Sequence, residues 1–145
     1  MTQTPFHLPH FLPYLLNQAA EAASREFQDY YRARYGMLRT EWRVLFHLGC
    51  YGEMSAKQIC QKALIHKTKV SRAVAALEAK RYLTRAPSDV DRRIEVLSLT
   101  PSGRTVFNDL ARAAEGFEAK LEDGLSPPEV DALRRALLTL SKLPS

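Results

Sequence analysis

The chain has 145 residues, 46% of them hydrophobic, and a formal net charge of +5. That is the length of one ordinary domain, with enough apolar material to build a core. No stretch approaches the ~20 apolar residues that a membrane span needs. Met1–His10 carries no Lys or Arg and no long apolar run, so it does not read as a secretory signal, and the default expectation is a cytoplasmic protein. Two cysteines, Cys50 and Cys60, do not suggest a disulfide framework.

The positive charge is unevenly placed. Between Lys57 and Arg104 eleven Lys and Arg face four acids, so this segment carries +7 while the rest of the chain carries −2. Such clustering is the footprint of a polyanionic partner, and a merely solvated basic surface has the same composition.

In chain order, Pro5, Pro9 and Pro13 punctuate the start, and residues 14–35 then read as one long helix. Tyr14, Leu15, Ala19, Ala22, Ala23, Phe27, Tyr30 and Tyr31 recur there at mostly helical spacing. Gly36 suits its end. Thr40 is expected to cap a second helix with the stripe Trp42, Leu45, Phe46 and Gly49, which Gly52 closes. Ser55 and Gln58 form a capping box that opens a short third helix, with Ala56, Ile59, Cys60 and Ala63 on one face. That face reads Cys60 as a small buried hydrophobe. A fourth helix, about Lys67 to Arg81, repeats the stripe as Val70, Ala73, Val74 and Leu77; its other face holds Thr68, Ser71, Arg72, Ala75 and Ala79, flanked by Lys69.

The period then changes. Leu83–Arg85 and Arg93–Leu99 are rich in strand formers, and the turn residues Pro87–Arg92 lie between them, so the segment reads as a β-hairpin with a charged tip. Thr100 followed by Pro101 starts a fifth helix, with Val106, Leu110, Ala113, Phe117 and Leu121 on one side, ended by Gly124. Ser126 and Glu129 form a second capping box, opening a last helix with the stripe Val130, Leu133, Leu137 and Leu140.

The third and fourth helices are joined by only Leu64, Ile65 and His66, which fits a helix-turn-helix. A helix enters the major groove of B-DNA with its N-terminal residues at the base edges. Thr68, Ser71 and Arg72 are short or bidentate donors on the exposed face. Ala75 and Ala79 lack bulk and let the helix axis come close. Lys67 and Lys69 suit phosphates as flexible point charges. Any two short amphipathic helices resemble such a pair, so the hairpin matters. Asp91, Arg92 and Arg93 sit at its turn, where an acid can orient one arginine while the other reaches outward; arginine is favoured in a narrow minor groove. Without a partner this is a surface ion pair worth about 0–1 kcal/mol.

Lys67–Arg85 (KTKVSRAVAALEAKRYLTR) and Asp89–Gly103 (DVDRRIEVLSLTPSG) resemble the recognition helix, wing and wing-to-helix junction of the MarR (multiple antibiotic resistance regulator) family. The resemblance covers about residues 11–142 and is most specific from 67 to 103. It implies a mainly α fold with a small β-hairpin: a winged helix-turn-helix with N- and C-terminal dimerisation helices. Residues 1–145 then form a single domain, with dimerisation helices at 8–36 and 101–143 and a DNA-binding lobe at 38–100. It further implies a sequence-specific transcriptional regulator, usually a repressor, acting as a homodimer on a pseudo-palindromic operator and released by a small aromatic or phenolic ligand or by an oxidant. By this match Lys67, Thr68, Lys69, Ser71 and Arg72 serve the major groove and its phosphates, and Asp91, Arg92 and Arg93 the wing, with Arg93 in the minor groove. Two departures stand out. Arg81 occupies a position where the family often has Gly, so it either avoids a left-handed backbone or bears a modest cost. His66 stands where Ser or Asp would cap the recognition helix.

The dimer candidates are Tyr14, Leu15, Leu16, Leu133, Leu137 and Leu138; packing within one chain is the competing reading. The family's ligand pocket lies between the dimer helices and the DNA lobe, where Phe11, Tyr14, Trp42, Phe46 and His47 are lining candidates and Arg43 an anion partner, although an aromatic stripe at helical spacing is more often core. Cys50 and Cys60 both fall near apolar stripes and read as inert core cysteines; the oxidant-sensing members carry a cysteine nearer the N-terminus, so a thiol-sensing regulator is the minor alternative. His7, His10, His47 and His66 lack metal-ligand spacing, and no cofactor is expected. No nucleophile elbow, phosphate loop or paired carboxylates suggest an enzyme. The main rival to a DNA-binding regulator is a winged-helix module that docks another protein.

Overall fold

The computed structural model describes residues 5–142. The outermost residues of the expected single domain, including residue 143 at the end of the last expected helical segment, lie outside it. A 3-10 turn over Leu8–His10 precedes six α-helices and one hairpin: α1 Leu12–Tyr35, α2 Arg39–Tyr51, α3 Ala56–Ala63, α4 Lys67–Ala79, β1 Leu83–Pro87, β2 Glu95–Leu99, α5 Pro101–Glu122 and α6 Pro127–Ser141. The chain forms two compact units. One is Phe27–Arg112; the other combines the described residues up to Glu26 with those from Ala113 onward.

The Phe27–Arg112 unit contains the whole buried core. On α4 the buried positions are Val70, Ala73, Val74 and Leu77, the face that the spacing sets. They pack against α2, through Val44, Leu45 and Leu48, and against α3, through Ile59 and Ala63. Each fully buried Val or Leu here contributes about 1.5–3 kcal/mol.

On α2 the buried face is Glu41, Val44, Leu45 and Leu48. The expected stripe of Trp42, Leu45, Phe46 and Gly49 is therefore rotated from the true one. Trp42 and Phe46 are half-buried and meet Phe27 edge-on, with ring centroids 5.3 and 6.2 Å away. Thr40 is not the cap. The helix begins at Arg39 behind Leu38, which makes no side-chain cap bond. The fully buried Met37 anchors the chain just ahead of it. Cys50 is exposed, because it falls off the stripe that ends at Leu48, and it is not a core cysteine; Cys60 is half-buried and packs on the core.

Caps follow the sequence closely elsewhere. Ser55 and Ser126 each accept from the backbone N–H three residues on, while Gln58 and Glu129 return the bond. The α4 terminus is a Schellman motif: Tyr82 N–H donates to Leu77 O and Arg81 N–H to Glu78 O, both at 2.9 Å. That motif needs a left-handed residue, and Arg81 supplies it at φ +64°. Of the two alternatives for Arg81, the chain adopts the strained one.

The strands pair antiparallel from Leu83↔Leu99 to Pro87↔Glu95. Leu83 and Leu97 are buried on the core side, and Leu97 also exchanges two backbone bonds with Met54. Thr100 ties the junction. Its Oγ1 accepts from Gly103 N–H at 3.0 Å and donates to Arg81 O at 2.7 Å. A Cβ on Gly103 would stand 1.9 Å from Tyr82 O, so no other residue fits there without moving backbone. On α5, Asp109 accepts from the hydroxyls of Tyr30 and Tyr35 and pairs with Arg34 Nε at 3.2 Å. These bonds, that of Tyr35 foremost, hold the Asp109 carboxyl below its ordinary range.

The other unit has a different character. Its part of α1, its part of α5 and all of α6 contain no buried residue among those described. Lys120 pairs with Glu26, and Arg134 with Glu118 and Glu122, all in exposed positions. Among the described residues no helix is long and apolar enough to cross a membrane.

The left-handed Arg81 yields a direct test. A non-glycine residue in this region costs about 1 kcal/mol, so Arg81→Gly should raise the unfolding free energy by about that amount. The midpoint of urea denaturation, at unchanged slope, reads the effect.

Candidate nucleic-acid interface

Three residues turn the chain from α3 into α4. Leu64 takes the left-handed conformation at φ +55°, and Ile65 N–H donates to Cys60 O at 3.3 Å. Ile65 is buried, which roots the turn in the core. His66 then caps α4: Thr68 N–H donates to His66 Nδ1 at 3.1 Å. The imidazole does the work expected of Ser or Asp, provided Nδ1 carries no proton.

With its inner face locked, α4 turns Lys67, Thr68, Lys69, Ser71, Arg72, Ala75 and Ala79 to solvent. The proposed readers thus share one face, with the two alanines on it further along. Lys67, Lys69 and Arg72 have no acid partner among the described residues. Their charge is uncompensated at the N-terminal half of the helix, beside His66.

The hairpin tip is built by side-chain bonds rather than by a two-residue turn. Ser88 N–H donates to Ile94 O at 2.7 Å, and Ser88 Oγ accepts from Val90 and Asp91 N–H. Asp91 takes Arg93 in a fork, Oδ1 to Nε and Oδ2 to Nη2, both at 3.1 Å, and also accepts Arg93 N–H. These bonds from Arg93, its side chain first, depress the Asp91 carboxyl. Arg93 stays 90% exposed while held in this way, and Arg92 is exposed beside it. An oriented, solvated guanidinium at the end of a narrow ribbon has the form that insertion into a groove requires.

Several of the clustered cations, although exposed, are engaged within the protein. Arg85 pairs with Glu78 at 3.0 Å, Lys62 lies 4.2 Å over the Tyr51 ring, and Arg104 donates to Gly49 O at 3.2 Å. What remains free is concentrated on α4 and at the tip of the wing.

The ligand candidates divide between the two units. Phe11, exposed, and Tyr14, half-buried and bonded to Gln18, belong to the terminal unit. Trp42 and Phe46 stand on the aromatic side of the core of Phe27–Arg112. Arg43 Nη2 donates to Ala63 O at 2.7 Å, capping the end of α3, and His47 Nδ1 donates to Arg43 O. Desolvation, with the nearby Arg39 charge, lowers the Arg43 pKa. The dimer candidates Leu15, Leu16, Leu133, Leu137 and Leu138 are all exposed. The sequence reading missed Glu41, the only buried charged residue among those described. The available signal was an acid at the head of the i, i+3, i+4, i+7 series Glu41, Val44, Leu45, Leu48.

A short helix, a tight turn, a second helix with a polar outer face and a hairpin beside it define a winged helix-turn-helix protein. A family model described as the MarR family matches residues 35–94. The solved structure of BpsR from Bordetella bronchiseptica superimposes with a TM-score of 0.88 at 24% identity, covering 97% of this chain and 100% of that one. A MarR family transcriptional regulator from Silicibacter pomeroyi gives 0.78 at 29% identity, covering 95% and 100%. The HTH-type transcriptional regulator YwaE of Bacillus subtilis is 24% identical over 95 residues, which take in 66% of this chain but only 56% of that relative's length. Residues 35–94 thus carry the MarR family pattern, and the chain is similar in fold to these regulators.

The imidazole cap sets a second test. His66→Ala removes the acceptor of Thr68 N–H and should lower stability by about 1 kcal/mol, while His66→Ser should restore it. Denaturation of the two variants side by side decides; equal stability of wild type and His66→Ala would remove the cap from the account.

Proposed function

We propose that the protein is a sequence-specific DNA-binding transcriptional regulator, a repressor that acts as a homodimer on a pseudo-palindromic operator in the cytoplasm, and not an enzyme. The observation that carries this reading is the pairing of two exposed basic features on one unit: the unpartnered outer face of α4, and Arg93 held outward by Asp91. In this assignment Thr68, Ser71 and Arg72 read the major groove, Lys67 and Lys69 take phosphates, and Arg93, oriented by Asp91 and flanked by Arg92, enters the minor groove. Residues 38–100 are the DNA lobe, and 8–36 with 101–143 the dimerisation helices.

The dimer rests on the terminal unit. Ten of the described leucines are exposed there, among them Leu12, Leu15, Leu16, Leu133, Leu137, Leu138 and Leu140. An apolar stripe of that extent without an interior of its own calls for a partner. A second copy related by a two-fold axis would place two recognition helices about 34 Å apart, one turn of DNA. BpsR, whose DNA binding is regulated by 6-hydroxynicotinic acid, supports release by a small aromatic ligand, with Phe11, Tyr14, Trp42, Arg43, Phe46 and His47 as its candidate contacts.

Two measurements test the proposal. Affinity for duplex DNA should fall linearly in log–log form with salt. Arg93→Ala should weaken binding to all sequences, whereas Arg72→Ala should cost about 1–3 kcal/mol and relax preference at one base pair. A protein that ignores duplex DNA yet retains another protein partner is the interaction module instead. Separately, sedimentation at micromolar concentration should give twice the 16.4 kDa of one chain; a monomer refutes the dimer.

A further inference from the structure

Lys80 belongs to the basic segment, yet its ammonium is turned into the protein. It is the last residue of the α4 cap region, and its Nζ donates to Glu41 Oε1 and to Gly36 O, each at 2.9 Å. The Glu41 side chain is 7% exposed and that of Lys80 29%. Gly36 is the left-handed residue just past α1, at φ +60°. One ammonium therefore joins three places: the end of α1, the first turn of α2 and the end of α4. All three lie in the Phe27–Arg112 unit.

The chemistry favours keeping it there. An ammonium has three N–H donors, and two are committed to fixed acceptors. The end of a helix carries partial negative charge, which adds to the attraction. Were Lys80 to swing toward a phosphate, Glu41 would be left as an unpaired buried carboxylate, an arrangement proteins avoid. Lys69 and Arg72, on the same helix, have no such commitment among the described residues.

The geometry points to Lys80, with Glu41, as the positioning pair of the recognition helix. The pair contacts no DNA; it fixes the C-terminal end of α4 against the elbow between α1 and α2 and so sets the angle at which Thr68, Ser71 and Arg72 are presented. This rests on the DNA-binding reading above.

The test separates a positioning lysine from a phosphate-binding one. Lys80→Met keeps the aliphatic stem and removes both bonds; Glu41→Gln keeps an acceptor and removes the charge. Duplex affinity is measured across a salt series, with urea denaturation to confirm folding. Lys80→Met should bind about tenfold more weakly with the slope of log affinity against log salt unchanged. The double variant should be little worse than either single one, and Lys80→Arg should recover most of the loss. A slope shallower by about one would mean a lost phosphate contact and would overturn the inference, as would unchanged affinity or fully additive losses. If Lys80→Met does not fold, Glu41→Gln carries the same comparison. Amide exchange without DNA gives an independent arm: Lys80→Met should speed exchange in the last turn of α4. If the wild-type protein binds no duplex, the functional reading fails, and unaltered exchange in Lys80→Met would separately refute the pair's role.

Discussion

The packing of Val70, Ala73, Val74 and Leu77 against α2 and α3 governs what α4 can present. Successive residues of a helix are rotated by about 100°, so burying one face commits the other. A slip of one position would draw Ser71 toward the core and expose Val70. Because the inner face is filled by apolar side chains in a close-packed interior, the outer face is held to a single orientation. The wing inherits that orientation, since β1 begins at Leu83, directly after the turn that ends the helix.

Both ends of α4 are tight, and both are tight through left-handed residues that are not glycine. Leu64 and Arg81 are the only such residues described. At each, a backbone bond spanning the turn, Ile65 to Cys60 and Tyr82 to Leu77, secures the conformation. The strain is small, and it allows two changes of direction within a few residues. The helix is thereby wedged between a buried isoleucine at one side and a buried leucine at the other.

The sequence revealed most where a feature is decided locally. The α4 stripe, the capping boxes at Ser55 and Ser126, the Thr100 cap and the Asp91–Arg93 fork are all contained within a few residues, and spacing suffices to find them. It revealed less where distant residues decide. On α2, the aromatic residues Trp42 and Phe46 drew the apparent stripe sideways, whereas the true face is chosen by what α4 offers to it. Cys50 followed that error. Glu41 and Lys80 are 39 positions apart, and Arg43 and Ala63 are 20 apart; pairings at that distance leave no periodic trace. The basic run is visible as a cluster in the sequence, but its division into partnered and unpartnered cations depends on which acids and carbonyls fold beside each one.

The terminal helices carry a consequence of another kind. A segment whose every described side chain retains some solvent contact has no interior to resist unfolding, and its leucines acquire one only when something lies against them. The order of these helices is therefore tied by mass action to the concentration of whatever covers them. If a second copy is that cover, as proposed, dilution loosens the ends while leaving the Phe27–Arg112 core intact, and protein abundance itself becomes a variable in the molecule's structure.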